Sequence, residues 1–154
     1  MLTYNHHQFS ISTEAVNMNS SSADSTGVPV PKRQCLQRET LKEEGTTFSK
    51  WIEGSDNVYI SKNISKYYKK ESKPESIWTN PFHSGYRNSE TEEDLIKFGA
   101  YVKNTPHLWN SLEQLEGKTL GCWCKKDKHC HADTLIKLFK EFMETKSTTT
   151  SSAQ

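Results

Sequence analysis

Between Gly117 and Leu135 the sequence passes from a β-prone run, through a turn crowded with thiols and imidazoles, into an amphipathic helix. No other stretch constrains the fold as much. Thr119-Leu120-Gly121-Cys122-Trp123-Cys124 reads as a strand on which Cys122 and Cys124 share one face, because strand side chains alternate with period two. Cys130 and His131 follow, in the turn or first turn of a helix starting at Asp133 or Thr134. Leu135, Leu138, Phe139 and Phe142 of that helix fall at i, i+3, i+4 and i+7. The strand's carboxyl end is thus turned toward the edge where open α/β sheets bind ligands.

The upstream chain predicts the same architecture. Asn57 to Ser61 is a short β-branched strand, followed by a basic loop from Lys62 to Lys73 and then Ile77 to Phe82. The acidic group Glu90, Glu92, Glu93 and Asp94 suits the first turn of a helix, where the macrodipole favours negative charge. Leu95, Phe98 and Val102 would lie on one face of that helix, and Pro106 marks its end or a break. Leu108, Leu112 and Leu115 predict a shorter helix closed by Gly117 as its C-terminal cap. Strand, helix, strand, helix predicts a small α/β layer with a mainly parallel sheet.

Only 32% of the 154 residues are hydrophobic and mean hydropathy is −0.84. Ordinary domains use roughly 45–50% apolar residues, so part of the chain is expected outside the core. Residues 1–45, rich in Ser, Thr, Asn and Gln and containing the extended run Val28-Pro29-Val30-Pro31, are predicted to be disordered. The Ser/Thr-rich tail, 146–154, is predicted to be so too, leaving 46–145 as one α/β domain. Twenty basic residues against 19 acidic give a net charge of +1, so a nucleic-acid partner is not indicated. No apolar run reaches the ~18–20 residues of a membrane span, and no membrane partner is expected. Asn5, His6, His7 and Gln8 interrupt any signal-peptide core. Four cysteines are too sparse for a disulfide scaffold. The expected location is intracellular and cytoplasmic, with Lys32-Arg33 a weak nuclear import signal and the sequons at Asn19 and Asn63 chance matches.

The thiol-rich turn admits two chemistries. Cys122, Cys124, Cys130 and His131, with His129 as an alternative nitrogen, meet the ligand count of a tetrahedral zinc site. Their spacing departs from that of the common fingers, and the bland alternative makes Cys122 and Cys124 small hydrophobes in a buried strand. In the second chemistry, unpaired amides at the helix start bind an anion and lower the pKa of Cys130, with His131 as acid or base. Asp133 then belongs to the site or simply caps the helix. Lys125, Lys126 and Lys128 steer an anionic ligand or are merely solvated. Gly117-Lys118-Thr119 is no P-loop, since Leu112 stands where the upstream glycine belongs and a strand follows. The zinc-deaminase and haem-attachment patterns are absent as well.

Three ordered motifs resemble the domain-of-unknown-function 4326 family, found mostly in bacteria, phages and large DNA viruses. They are Val58-Tyr59-Ile60-Ser61-Lys62, Trp78-Thr79-Asn80-Pro81-Phe82, and the run from Gly117 to Cys124 that leads into Cys130-His131-Ala132-Asp133-Thr134-Leu135. The resemblance spans about 57–142. Ser61, Thr79 and Ala132 stand where the family carries glycine, and Lys62 where it carries arginine. An arginine usual at the start of the middle helix has no clear counterpart here.

The resemblance implies a Rossmann-like fold and supplies no established activity. It also suggests which residues converge. Asn80, Lys62, Cys130, His131 and Asp133 would form a polar pocket at the strand ends, with Trp78 and Tyr59 stacking on a flat ring or covering the sheet edge. The expected function is binding, with or without hydrolysis or transfer, of a nucleotide- or nucleoside-derived small molecule. The alternative is a non-catalytic, zinc-stabilised interaction module.

Overall fold

A computed structural model of the chain describes residues 27–62, 76–83 and 90–152. The Ser/Asn-rich run before Gly27, both sequons and most of the basic loop lie outside the described residues. Three short strands, β1 (Lys32–Cys35), β2 (Asn57–Tyr59) and β3 (Thr119–Cys122), form a wholly parallel sheet in the order β1-β3-β2. Thr119 is level with Lys32 on one side and Asn57 on the other. Helices α1 (Arg38–Glu43) and α2 (Phe48–Trp51) connect β1 to β2. Helices α3 (Glu92–Lys103) and α4 (Pro106–Ser111), with a 3-10 turn over Leu112–Leu115, precede β3. Helix α5 (His131–Ser152) follows it.

The central strand divides the core by alternation. Leu120 and Cys122 join Phe98, Val102, Leu108, Leu135 and Phe139 in a cluster formed with α3, α4 and α5. Trp123 packs the other way, with Leu41, Phe48, Trp51 and Tyr59. The result is a sheet with helices on both faces, the three-layer solution for strands that are apolar on both sides. Gly121 makes the second layer fit. A β-carbon there would meet the Trp51 ring at 2.2 Å, so the indole lies directly on the strand backbone.

The amphipathic patterns are reproduced locally. Helix α3 opens with a reciprocal capping box in which Thr91 accepts from the Asp94 N–H and Asp94 from the Thr91 N–H. Phe98 and Val102 face inward from it, and Leu95 is half-buried. Leu108, Leu112 and Leu115 are all buried, and Gly117 ends the segment at φ +68°.

Several boundaries differ from the sequence reading. The folded unit starts well before residue 46, because β1 and α1 belong to the sheet and its second helical layer. Extended Pro-rich composition is equally compatible with an edge strand, and here β3 supplies the partner. The tail expected to be disordered is helical to Ser152. Its Thr145, Thr148 and Thr149 hydroxyls donate to carbonyls one turn back instead of pulling the backbone out of the helix. β3 stops at Cys122 rather than Cys124, β2 stops at Tyr59, and α5 starts at His131 rather than Asp133. Among the described residues no helix is long and apolar enough to cross a membrane.

Candidate metal centre

The end of β3 and the start of α5 bring three thiols together. The Sγ atoms of buried Cys122, Cys124 and Cys130 lie within 4.8 Å of one another. All are free thiols, and the Cys130 S–H donates to Cys122 Sγ at 2.9 Å. Cys122 is the last strand residue, and Cys124 reaches the cluster from the bend that follows. Cys130 precedes α5, and its sulfur accepts the Ala132 N–H at 3.4 Å. Cys130, not Asp133, is therefore the residue that caps the helix. The Cys122 thiol is pulled down to about 3, chiefly by hydrogen bonds from Cys124 and Cys130, with Arg33 nearby assisting. Those two partners are pushed up in turn, since an anion already sits beside them.

A carboxylate–imidazole pair adjoins the thiols. Glu90 Oε2 accepts from the His131 backbone N–H at 2.6 Å and from its Nδ1 at 2.7 Å, while Glu90 Oε1 accepts from Asn80 Nδ2 at 2.6 Å. His131 Nε2 points at the Ile60 carbonyl at 2.7 Å. Both ring nitrogens therefore face acceptors, which only the imidazolium can satisfy together. Burial alone would lower the pKa of His131, but the Glu90 carboxylate and the Ile60 carbonyl outweigh it and the net shift is upward. Burial likewise pushes the Glu90 carboxyl up, and the bonds from His131 and Asn80 bring it below its ordinary value. Glu90 Oε2 lies 3.7 Å from Cys124 Sγ, and His131 Nδ1 lies 3.9 Å from Cys130 Sγ.

Of the other residues the sequence singled out, Asn80 is buried in this network and also accepts the Phe82 N–H. Trp78 lies in the core below the same sheet face. Tyr59, on the opposite face, donates to the Lys62 carbonyl and accepts from Trp123 Nε1. Burial pushes its phenol up to about 12. Exposed Lys62 reaches the His83 carbonyl at 3.2 Å. The Thr79 hydroxyl donates to the Ser61 carbonyl at 3.1 Å. Asp133 is the third residue of α5 and pairs with Arg33 at 2.8 Å, half-exposed. His129 is exposed and offers its carbonyl to the Glu90 N–H. Lys126 and Lys128 pair with Glu44 and Asp127.

Two members of the cluster were not anticipated. The acidic run places Glu90 in the first turn of α3, whereas the Thr-x-x-Asp capping box starting at Thr91, the signal available in the sequence, leaves it outside the helix. Arg33, which the sequence offers only as part of a weak import signal, carries no local mark of a place beside this cluster. It reaches Asp133 across 100 positions and also donates to the Lys125 carbonyl at 2.6 Å.

Fold and site together define a small three-layer α/β domain whose central strand and last helix meet at a buried thiol cluster. The chain belongs to the family described as a domain of unknown function (DUF4326), which it matches over residues 45–141. It is also 32% identical over 74 residues to an uncharacterized protein of Acanthamoeba polyphaga mimivirus. That alignment covers 44% of this chain and 55% of the viral protein, so the chain spans about half the length of its relative. No solved structure matches it. The family match begins downstream of β1 and α1, so the strand that carries Arg33 lies outside it.

Proposed function

We propose that Cys122, Cys124 and Cys130 form a thiolate metal centre, selective for zinc or a comparably soft ion, that ties β3 to α5 in a non-catalytic module. The observation that carries this reading is the convergence of three buried Sγ atoms within 4.8 Å. Thiolates select soft metals over magnesium or calcium. Structural zinc takes four donors, and the fourth position falls to Glu90 or His131, which adjoin Cys124 and Cys130. With Zn–S bonds of about 2.3 Å, tetrahedral sulfurs sit roughly 3.8 Å apart. Loading therefore opens the Cys122–Cys130 contact of 2.9 Å. Cys130 is fully buried, which favours a structural over a nucleophilic role for it. Four free thiols suit a reducing, intracellular compartment.

The test is elemental mass spectrometry of the purified chain, paired with melting in the presence and absence of a chelator. The expected result is about one zinc per chain, a sharp fall in melting temperature on chelation, and loss of zinc in Cys122→Ser and Cys130→Ser. A metal-free chain with three titratable thiols and a melting temperature indifferent to chelator would overturn the proposal.

A second reading, binding of a nucleotide- or nucleoside-derived molecule by a Rossmann-like layer, rests on the wholly parallel sheet, whose carboxyl edge is where open α/β folds bind ligands. The Asn80–Glu90–His131 network is internal and its polar atoms satisfy one another. The metal centre is therefore the reading that the geometry favours.

A further inference from the structure

We infer that the outer face of α3 is a self-association surface, on which a second copy of this chain packs its own α3 antiparallel. The face borders a groove of about 370 Å³ between α3 and α5. Three observations carry the inference.

The first is an apolar side chain without cover. Ile96 is 66% exposed, more than any other large hydrophobic among the described residues. One exposed isoleucine standing alone is normal. Ile96 is not alone, since it lines the groove with Leu95 and Ala100 and belongs to an apolar strip.

The second is Gly99. It stands in mid-helix, where glycine is less favourable than alanine. Nothing among the described residues demands it. Its φ is not positive, and an added β-carbon would meet only the Thr134 methyl, at the ordinary contact distance of 3.5 Å. The missing side chain leaves a hole in the groove one turn from the protruding Ile96, which is the relief that helix-on-helix packing uses.

The third is self-complementary order. The groove-side residues of α3 are Glu92, Leu95, Ile96, Gly99, Ala100 and Lys103, and their spacing is the same read in either direction. Antiparallel copies related by a two-fold axis between Lys97 and Phe98 therefore set Ile96 on Gly99, Leu95 on Ala100 and Glu92 on Lys103. Each pairing then occurs twice, as an isologous contact requires. The charges agree. Lys103 pairs with Glu141 at 2.7 Å, while Lys137, across the groove, has no carboxylate partner among the described residues and Glu92 has no cation. Two lysines against one carboxylate at that end leave room for the Glu92 of a second copy. The face is one helix of 12 residues, about 18 Å long, so the dimer is expected to be weak and reversible. None of these residues belongs to the thiol cluster, and the inference stands apart from the metal reading.

Sedimentation equilibrium of the full-length chain, from micromolar to millimolar concentration, tests this. The average mass should rise from 17.7 kDa toward twice that value. Ile96→Lys should raise the dissociation constant about a hundredfold, roughly tenfold for each of the two copies of the residue in the interface. Glu92→Lys and Lys103→Glu/Lys137→Glu should each weaken self-association, because each opposes like charges at both ends of an antiparallel pair. Their equimolar mixture should recover it, because unlike charges meet again. Unaltered metal content and an unaltered melting temperature in dilute solution separate these losses from a failure to fold. The inference is overturned by a mass of 17.7 kDa throughout, by a dimer indifferent to Ile96→Lys, or by a mixture that associates no better than its components.

Discussion

Glu90 holds His131 twice, accepting from its backbone N–H at 2.6 Å and its ring Nδ1 at 2.7 Å, across 41 positions of sequence. One carboxylate thereby sits at the positive end of α5 and fixes an imidazolium whose other nitrogen is tied to Ile60, the residue just after β2. Helix start, strand end and thiol cluster are joined at one buried point.

Removing one member of such a pair leaves the other buried without its partner, at a cost of about 3–5 kcal/mol. Glu90→Gln should therefore lose stability of this order in urea denaturation. A loss under about 1 kcal/mol, the worth of an exposed pair, would contradict the geometry. The same comparison in chelator decides the fourth metal ligand. An equal loss with and without metal places Glu90 outside the coordination sphere, and a loss confined to the metal-loaded chain places it inside.

At Gly121 the prediction concerns close approach rather than backbone torsion. An alanine β-carbon would fall 2.2 Å from the Trp51 ring, and the clash lies on a central strand that cannot shift without breaking two ladders. Gly121→Ala should destabilise by about 1–3 kcal/mol. Trp51→Leu in the same chain should recover part of that loss. Strict additivity of the two substitutions would show that the ring is not the obstacle.

Tyr59 predicts an alkaline signature. Its phenol, pushed up to about 12 from the ordinary 10.0 chiefly by burial, favours the protonated form in the folded chain. Because the folded value is the higher one, its contribution to stability is complete below pH 10 and is lost as pH rises toward 12. In an absorbance titration near 295 nm, the difference between wild type and Tyr59→Phe should show one phenol ionising late. An ordinary midpoint for that phenol would refute it.

The Thr79 hydroxyl donates to the Ser61 carbonyl at 3.1 Å and ties the segment after Trp78 to the end of the β2 region. Thr79→Gly should lower stability by about 0.5–1.5 kcal/mol, the net worth of one hydrogen bond, in chemical denaturation. A neutral or stabilising effect would mean that the bond contributes nothing.

Much of the domain was legible locally. The apolar spacing of α3 and α5, the leucines closed by Gly117 and the parallel pattern of strand and helix all follow from periodicity and turn chemistry, which act within a few residues. So does the crowding of Cys122, Cys124 and Cys130, because eight positions of chain with a strand at one end and a helix at the other hold them close. The misread ends share a cause. Proline-rich residues near Lys32 and the Ser/Thr-rich run beyond Lys146 carry composition typical of disorder. The first pairs with β3, and the second satisfies its hydroxyls along a helix anchored through Lys146 and Glu113.

Sequence by itself determined β2, β3, the helical segments from α3 to α5, a parallel pattern and the presence of a thiol cluster, since each rests on residues that are neighbours along the chain. Tertiary structure alone decided what surrounds that cluster. Glu90 and Arg33 arrive from 41 and 100 positions away, and nothing near either residue in sequence encodes the partner it meets. The same holds for the second apolar cluster, where Trp123 joins Leu41 and Phe48 only because β1 pairs beside β3. Long-range pairing is selected by burial summed over the whole core, a quantity that no local pattern contains.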